Sequence, residues 1–450
     1  MSAVDPTIEN GRSIRPVPER LRVLGALDTG LLWANLGVSL LVIVAGAVLV
    51  PALSLPDALI AIVLGCAVGS LMLGVAAAIG AQAGVPTMVL MRATLGKRGS
   101  YLPTTINLVQ CVGWTIFELL VIATAAAALS DRALGFGAQW LWTLVFGALA
   151  LVLGLMGPVG VVRRLLRKVS VWAVPLALAY LVWWTLDGAD LGAVWDRPGE
   201  GGLSVWQGAD IVVAVTVSWI PLAADYTRFS RTPRAAFLGT SVGYFVPDGL
   251  LLSLGAVLVL TRDVSDAAAL PPAVAAGGVA AFLALLALTV AETDDAFANA
   301  YSGAVSGQNL FPSIRQRRLV VGTTSAGVVG ALVIELVSYQ AFLLLLGSFF
   351  VPLFAVLLAD WLVAGRRYDA VEVFGAPAWR PGLVAAWILG FALYQWLAPT
   401  GPGWWVDLVA RVDPPSWGIG ATIPSFLVSF ALALALSAVA RSWSAPRATA

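Results

Sequence analysis

The sequence predicts an all-α polytopic membrane protein with twelve transmembrane helices, and three observations predict it. Sixty per cent of the 450 residues are hydrophobic and 11% are charged, against roughly a quarter charged in a soluble domain. Apolar runs of about twenty residues recur along the whole length, which is the span of a bilayer at a rise of about 1.5 Å per residue. Lys and Arg collect between alternate pairs of runs, as expected of a chain that keeps its basic residues in the cytoplasm.

The runs fall at 25–50, 57–81, 103–130, 140–159, 170–186, 209–224, 236–260, 272–302, 319–337, 340–364, 383–399 and 421–440. With the N-terminus inside, the tail places Arg12, Arg15, Arg20 and Arg22 in the cytoplasm. The 2–3 and 4–5 loops add Arg92, Lys97, Arg98, Arg163, Arg164, Arg167 and Lys168. The later inside loops hold Arg228, Arg231, Arg234, Arg315, Arg317, Arg318, Arg366, Arg367 and Arg380, and the C-terminal tail holds Arg441 and Arg447. Of 26 basic residues only Arg132, Arg197, Arg262 and Arg411 fall outside. A missed or invented span would scramble this alternation, so both termini are expected in the cytoplasm, with the chain in the plasma membrane. The longest loop, about 187–208, carries Asp187, Asp190, Asp196 and Glu200 on the outside.

Several functions are excluded by what is missing. No Walker A loop offers a site for ATP hydrolysis; a net charge of +1 carries no information about nucleic-acid or acidic partners, and no nucleic-acid partner is expected. No obligatory protein partner is evident, leaving the lipid bilayer and a small molecule as partners. The tail has no apolar segment followed by a small-residue cleavage site, so no signal peptide is expected. Cys66 and Cys111 lie inside apolar runs and the chain has no His. Disulfide frameworks, zinc sites and imidazole relays are therefore not expected, and no cofactor is. Proton chemistry falls to carboxylates.

Two spans look interrupted. The first carries Asn35, Gly37 and Ser39 at its middle, and the sixth Thr216, Ser218 and Pro221, where Pro removes a helical hydrogen bond. Breaks at corresponding places in two halves point to an inverted-repeat transporter with a central site. The alternative is that Gly and Pro are common in membrane helices.

An ionisable group at mid-bilayer costs about 2.5–3.5 kcal/mol on insertion scales and needs a reason. The sequence offers Glu118, Glu292, Asp294, Asp295, Glu335 and Asp360, with Asp28, Asp225 and Asp248 read as nearer the membrane edges. Three acids within four residues of the eighth run are suited to a cation, Na⁺ or H⁺; the competing reading is a solvated extracellular mouth. Asp295 and Asn299 share a helical face. So do Trp114 and Glu118, four residues apart. An indole stacks on a flat ring and a carboxylate accepts ring N–H groups, which suits an aminopyrimidine or aminopurine. The competing reading packs Trp114 in the core and pairs Glu118 with a neighbouring helix.

Five stretches, Glu9 to Arg20, Gly84 to Gly96, Leu102 to Trp114, Ala224 to Arg228 and Phe297 to Ser302, together resemble the nucleobase–cation symporter-1 family. The family transports purines, cytosine, thiamine precursors and hydantoins. The resemblance runs from about residue 9 to 370. It implies a five-plus-five inverted-repeat (LeuT-type) fold with two extra C-terminal helices. The chain then divides into a tail (1–24), a first repeat (25–187), an inverted second repeat (209–364), two peripheral helices (383–440) and a second tail (441–450). It further implies that Trp114 stacks on substrate and that Asn299 binds it. Glu118 stands where hydantoin-type members have Gln. Thr293 and Asp294 match a hydroxyl pair that, with backbone carbonyls near Asn35 and Gly37, holds Na⁺. Two positions depart from the family. The second stacking aromatic falls on Thr216, leaving Trp219, beside Ser218, as a substitute or as packing. Asp294 replaces a hydroxyl, which leaves Na⁺ or H⁺ open.

The expected function is import of a nucleobase or related aminopyrimidine (cytosine, a purine or hydroxymethylpyrimidine) by cation symport with alternating access. Alternatives are uracil, allantoin, hydantoin or a thiamine precursor as substrate, a channel, or a membrane-embedded enzyme. The last lacks any HExxH, Gly-x-Ser-x-Gly or catalytic His.

Overall fold

The computed structural model describes residues 14–156, 171–262, 269–334, 339–413, 415 and 417–444. Arg12, Arg163, Arg164, Arg167, Lys168, Glu335 and Arg447 lie outside the described residues. Asp294 is described in backbone only.

Helices account for every apolar run. The first half of the chain contains α1 (Ala26–Leu36), α2 (Leu40–Ala47), α3 (Leu55–Ala83), α4 (Thr87–Leu95), α5 (Tyr101–Leu134), α6 (Gln139–Met156) and α7 (Val171–Leu186). A short α8 (Leu191–Asp196) leads to α9 (Val205–Val217), a 3₁₀ turn, and α10 (Ala223–Thr227). Then follow α11 (Pro233–Arg262), α12 (Leu270–Ala276), α13 (Val279–Ala291), α14 (Thr293–Leu310), α15 (Gln316–Ala331) and α16 (Tyr339–Val363). The C-terminal part holds α17 (Ala370–Phe374), α18 (Pro381–Leu397), α19 (Gly403–Ala410) and α20 (Thr422–Ser444). The described residues contain no strand, only an isolated bridge between Leu24 and Ser230.

Among the described residues seven helices are long and apolar enough to cross a membrane, or eight if the α1/α2 pair, bent by 61°, is one span. Shorter apolar helices occupy Trp172–Leu186 and Pro381–Leu397. Outward-facing Val63, Leu71, Trp172, Leu176 and Leu427 are exposed. This apolar outer surface is what lipid accepts and water does not.

The order of elements recurs. A broken helix, a long helix, a short connecting helix and another long helix appear as α1/α2, α3, α4, α5, and again as α9/α10, α11, α12, α13/α14. Packing sorts the helices into two bundles. The broken helices lie with α3 and α11; α5 and α6 lie with α14 and α15. Outside them, α16, α18 and α20 pack on one another.

Two sequence expectations are corrected here. The eighth run is not one helix over 272–302. Residues up to Ala276 form the separate α12, Gly278 takes a left-handed φ of 106°, and the span proper continues to Leu310 with a break at Glu292. Asp248 is not near a membrane edge. It is central both in the run 236–260 and in α11, and it is fully buried.

Candidate functional site

The interruption in the first span sits where Asn35, Gly37 and Ser39 deny the backbone a regular helix. Helix α1 ends at Leu36; the N–H of Gly37 reaches back to the Trp33 carbonyl, and that of Val38 to Asn35. Ser39 then caps α2, its Oγ accepting the Leu41 N–H at 3.0 Å. A free helix start leaves N–H groups unpaired, and here a carboxylate from the other bundle fills the gap. Glu292 accepts the Ser39 hydroxyl on Oε1 at 2.5 Å and the Leu40 N–H on Oε2 at 2.7 Å. A negative charge at a helix N-terminus is where the dipole favours it. Tyr339 of α16 also donates to the Leu41 carbonyl, at 3.2 Å.

Glu292 is itself at the break of α13/α14. One residue on, Thr293 is buried and its hydroxyl has no hydrogen-bond partner. Thr293 thus follows directly on the residue that reaches the first span and has a buried oxygen to spare. The site's oxygens, with no cysteine or histidine, suit a hard cation.

Nearly two turns along α14, Asn299 donates through Nδ2 to Glu118 Oε1 at 2.9 Å, and to the Asp295 carbonyl at 3.2 Å. The other oxygen of Glu118, Oε2, has no partner although the residue is 2% exposed. Glu118 and Glu292 are both buried. Trp114, one turn before Glu118, meets Phe342 and Tyr339 edge-on, with ring centres 5.5 and 6.0 Å apart. One more turn back, Gln110 donates through Nε2 to the Ser218 carbonyl at 2.7 Å.

The structure thus brings Trp114, Glu118 and Asn299 together, with Thr293 close in sequence on the same helix. The side chains of the sixth-span residues make other contacts. The Thr216 hydroxyl donates to Asp248 at 3.1 Å, and that of Ser218 to the Val215 carbonyl at 2.6 Å. Trp219 packs edge-on against Trp33, with centres 5.9 Å apart, and against Tyr244 at 6.4 Å. Its packing is aromatic clustering around a Trp33 that is fully buried.

Three residues escaped the sequence reading as site members. Glu292 was one of three acids with no signal to rank it. Ser39 carried a signal, being a helix-capping residue directly after a break. Gln110 is spaced i−4 from Trp114, so the same face rule that paired Trp114 with Glu118 reaches it.

Paired broken helices, crossed by buried polar side chains from the opposite bundle, define a secondary transporter of the inverted-repeat kind. A family model described as permease for cytosine/purines, uracil, thiamine, allantoin matches residues 16–420. The chain belongs to that family, the nucleobase–cation symporter-1 family, and is a transporter rather than an enzyme. Among its relatives is the hydantoin permease of Microbacterium maritypicum, 24% identical over 457 residues, covering 88% of this chain and 92% of the relative. The cytosine permease of Escherichia coli K12 is 26% identical over 343 residues, covering 73% of this chain and 77% of the relative. The fold is similar to that of Mhp1 in a closed conformation with bromovinylhydantoin bound. There the TM-score is 0.71 at 22% identity, over 96% of this chain and 95% of Mhp1. The inward-facing conformation of Mhp1 gives 0.73 at 21% identity, over 99% and 95%.

Proposed function

We propose that the chain imports a nucleobase or related aminopyrimidine, together with Na⁺ or H⁺, by alternating access across the plasma membrane, with both termini cytoplasmic. The observation that carries this reading is the Asn299–Glu118 hydrogen bond, which leaves Glu118 Oε2 as a bare, buried acceptor one turn from Trp114. A ring stacked on Trp114 would offer an N–H or amino group to that oxygen, and Asn299 would read the neighbouring ring edge. Cytosine, a purine and hydroxymethylpyrimidine all carry such groups or can present them. The hydantoin permease relative makes a ring with two N–H donors the first competitor.

Thr293 and Asp294 would hold the coupling cation, with backbone carbonyls near Asn35 and Gly37 completing the shell. Thr216, Ser218 and Trp219 would shape the sixth-span wall rather than touch the ring. The repeats would run over 25–187 and 209–364, with 383–440 peripheral, in twelve spans.

Uptake into proteoliposomes tests the reading. Cytosine, adenine, hypoxanthine, uracil, allantoin, hydantoin and hydroxymethylpyrimidine are offered singly, with Na⁺ and pH varied. Saturable, gradient-dependent uptake of an amino-substituted ring is expected. Uptake confined to uracil would overturn the selection of amino-substituted rings by Glu118, and uptake that never saturates would indicate a channel.

A further inference from the structure

Among the buried acids outside the site described above, Asp248 has the least compensation. Asp248, near the midpoint of α11, is fully buried. Its Oδ2 accepts the Thr216 hydroxyl at 3.1 Å and the Cys66 thiol at 3.4 Å. Its Oδ1 has no hydrogen-bond partner. Both donors are neutral.

The surroundings supply no compensating charge. From α3 comes the Cys66 thiol, and from α9 only the Thr216 hydroxyl. On its own helix, one turn earlier, is Tyr244, fully buried with its hydroxyl unpartnered. Tyr339 of α16 and Asp295 of α14 are the next titratable groups, Asp248 acting on the first and Asp295 on Tyr244. From α1 comes Trp33, which does not titrate and meets Tyr244 edge-on. Among the described residues no Lys or Arg pairs with Asp248 or contributes charge to it. A carboxylate ion with two neutral donors and one bare oxygen is poorly matched to a dry interior. A carboxylic acid is well matched, because protonation removes the charge and the acid keeps its two donors on Oδ2.

Placement gives that proton a mechanical connection. Thr216 lies one residue before the end of α9, where the sixth span breaks. Gly69 of α3 backs it, and a Cβ there would come within 2.7 Å of the Thr216 Cβ. Asp248 thus ties α3, the end of α9 and α11 at one point. A change of charge on it acts on the interrupted helix that frames the substrate.

We propose that Asp248 is a proton-binding site, separate from the cation site at Thr293, whose occupancy is linked to substrate binding. One proton binds Oδ1 and the carboxylate charge is lost; on release that O–H bond breaks and the proton passes to water. If the protonated form favours substrate, affinity is highest at low pH and falls as Asp248 loses its proton.

Two measurements test this on the full-length protein in lipid. The first needs no substrate. Infrared difference spectra between wild type and Asp248→Asn at neutral pH should show a protonated-carboxyl C=O band that the variant lacks. An unchanged carboxyl region overturns the proposal. In the second, cytosine binding is titrated by tryptophan fluorescence at fixed Na⁺ across pH. Wild-type affinity should fall at least tenfold from low to high pH. Asp248→Asn, a mimic of the neutral acid, should stay at the low-pH affinity throughout, and Asp248→Glu should restore a pH response. A variant that titrates like wild type, or one that loses its Na⁺ dependence and keeps its pH dependence, overturns the proposal. Failure of every ring to bind would sink the functional reading instead, and the infrared result would still decide Asp248.

Discussion

At the scale of single residues, the side chains that meet around Glu118 are those whose spacing lies on one uninterrupted helix. Trp114 and Glu118 share a face of α5 because four residues make just over one turn, and the structure keeps them adjacent. Asn299 reaches the same carboxylate from α14. Thr216, Ser218 and Trp219 were legible as polar or aromatic residues in a broken span, but not in direction. The helical phase is lost where the backbone leaves the helix, and Thr216 turns to Asp248. Asp294 cannot be placed by its side chain. A prediction belongs here. Glu118→Gln replaces an acceptor oxygen with a donor nitrogen and removes a charge. Losing one charged hydrogen bond costs about 1.5–3 kcal/mol, roughly ten- to a hundredfold in affinity. Cytosine and adenine should lose that much, and uracil, offering fewer donors, clearly less. Substrate titrations on purified protein read the ratio, and equal losses for the two kinds of ring would refute the role.

At the scale of elements, the two interruptions were visible as Gly, Pro and small polar residues, and the structure gives both. What the sequence could not show is how the bared helix ends are satisfied, since that takes residues hundreds of positions away. The start of α2 is capped by Ser39 from within and by Glu292 from α13/α14. The carbonyl of Ser218 past the end of α9 is held by Gln110. The split of the eighth run was also hidden, because the apolar residues of α12 and α13 read as continuous in hydropathy while Gly278 turns the backbone. Close helix approach is the other element-scale device. A Cβ on Gly46 would overlap the Leu252 carbonyl, and one on Gly255 the Ile43 carbonyl, so α2 and α11 cross with backbones in contact, as small residues allow in membranes. Glu292 supplies the prediction. Glu292→Gln keeps an acceptor for the Leu40 N–H but loses the charge at the helix start, worth about 1 kcal/mol. Glu292→Ala leaves the Leu40 N–H and the Ser39 hydroxyl without their acceptor, costing about 2–3 kcal/mol. Thermal unfolding in detergent should rank wild type above Gln above Ala. An alanine variant as stable as wild type would show that the cap contributes nothing.

At the scale of the whole molecule, polar contacts between the two bundles converge on the broken helices. Glu292 reaches α2, Gln110 reaches the end of α9, and the Tyr226 hydroxyl donates to the Ala298 carbonyl at 3.1 Å. A contrasting network ties the periphery: Asp360 accepts from Arg380 at 2.7 and 2.8 Å, from Tyr368 at 2.6 Å and from Ser437 at 2.8 Å. Every oxygen there is satisfied by a cation or a hydroxyl, which marks Asp360 as structural. Glu118 and Thr293, on α5 and α14, are by contrast among the buried residues with an oxygen left bare. If substrate completes the first and a cation the second, both ligands favour the same closed arrangement of the bundles, and each must raise the other's affinity by one common factor. Couplings of this kind run at about 5–150-fold. Substrate titrations by tryptophan fluorescence at low and saturating Na⁺ give one factor, and Na⁺ titrations with and without substrate give the other. The two factors should agree at fixed pH. Asp294→Asn and Thr293→Val should each bring the factor towards one while leaving ion-independent binding to Trp114. A variant that keeps the full wild-type factor would remove that residue from the cation site, and a wild-type factor of one would mean that Na⁺ is not coupled to substrate binding.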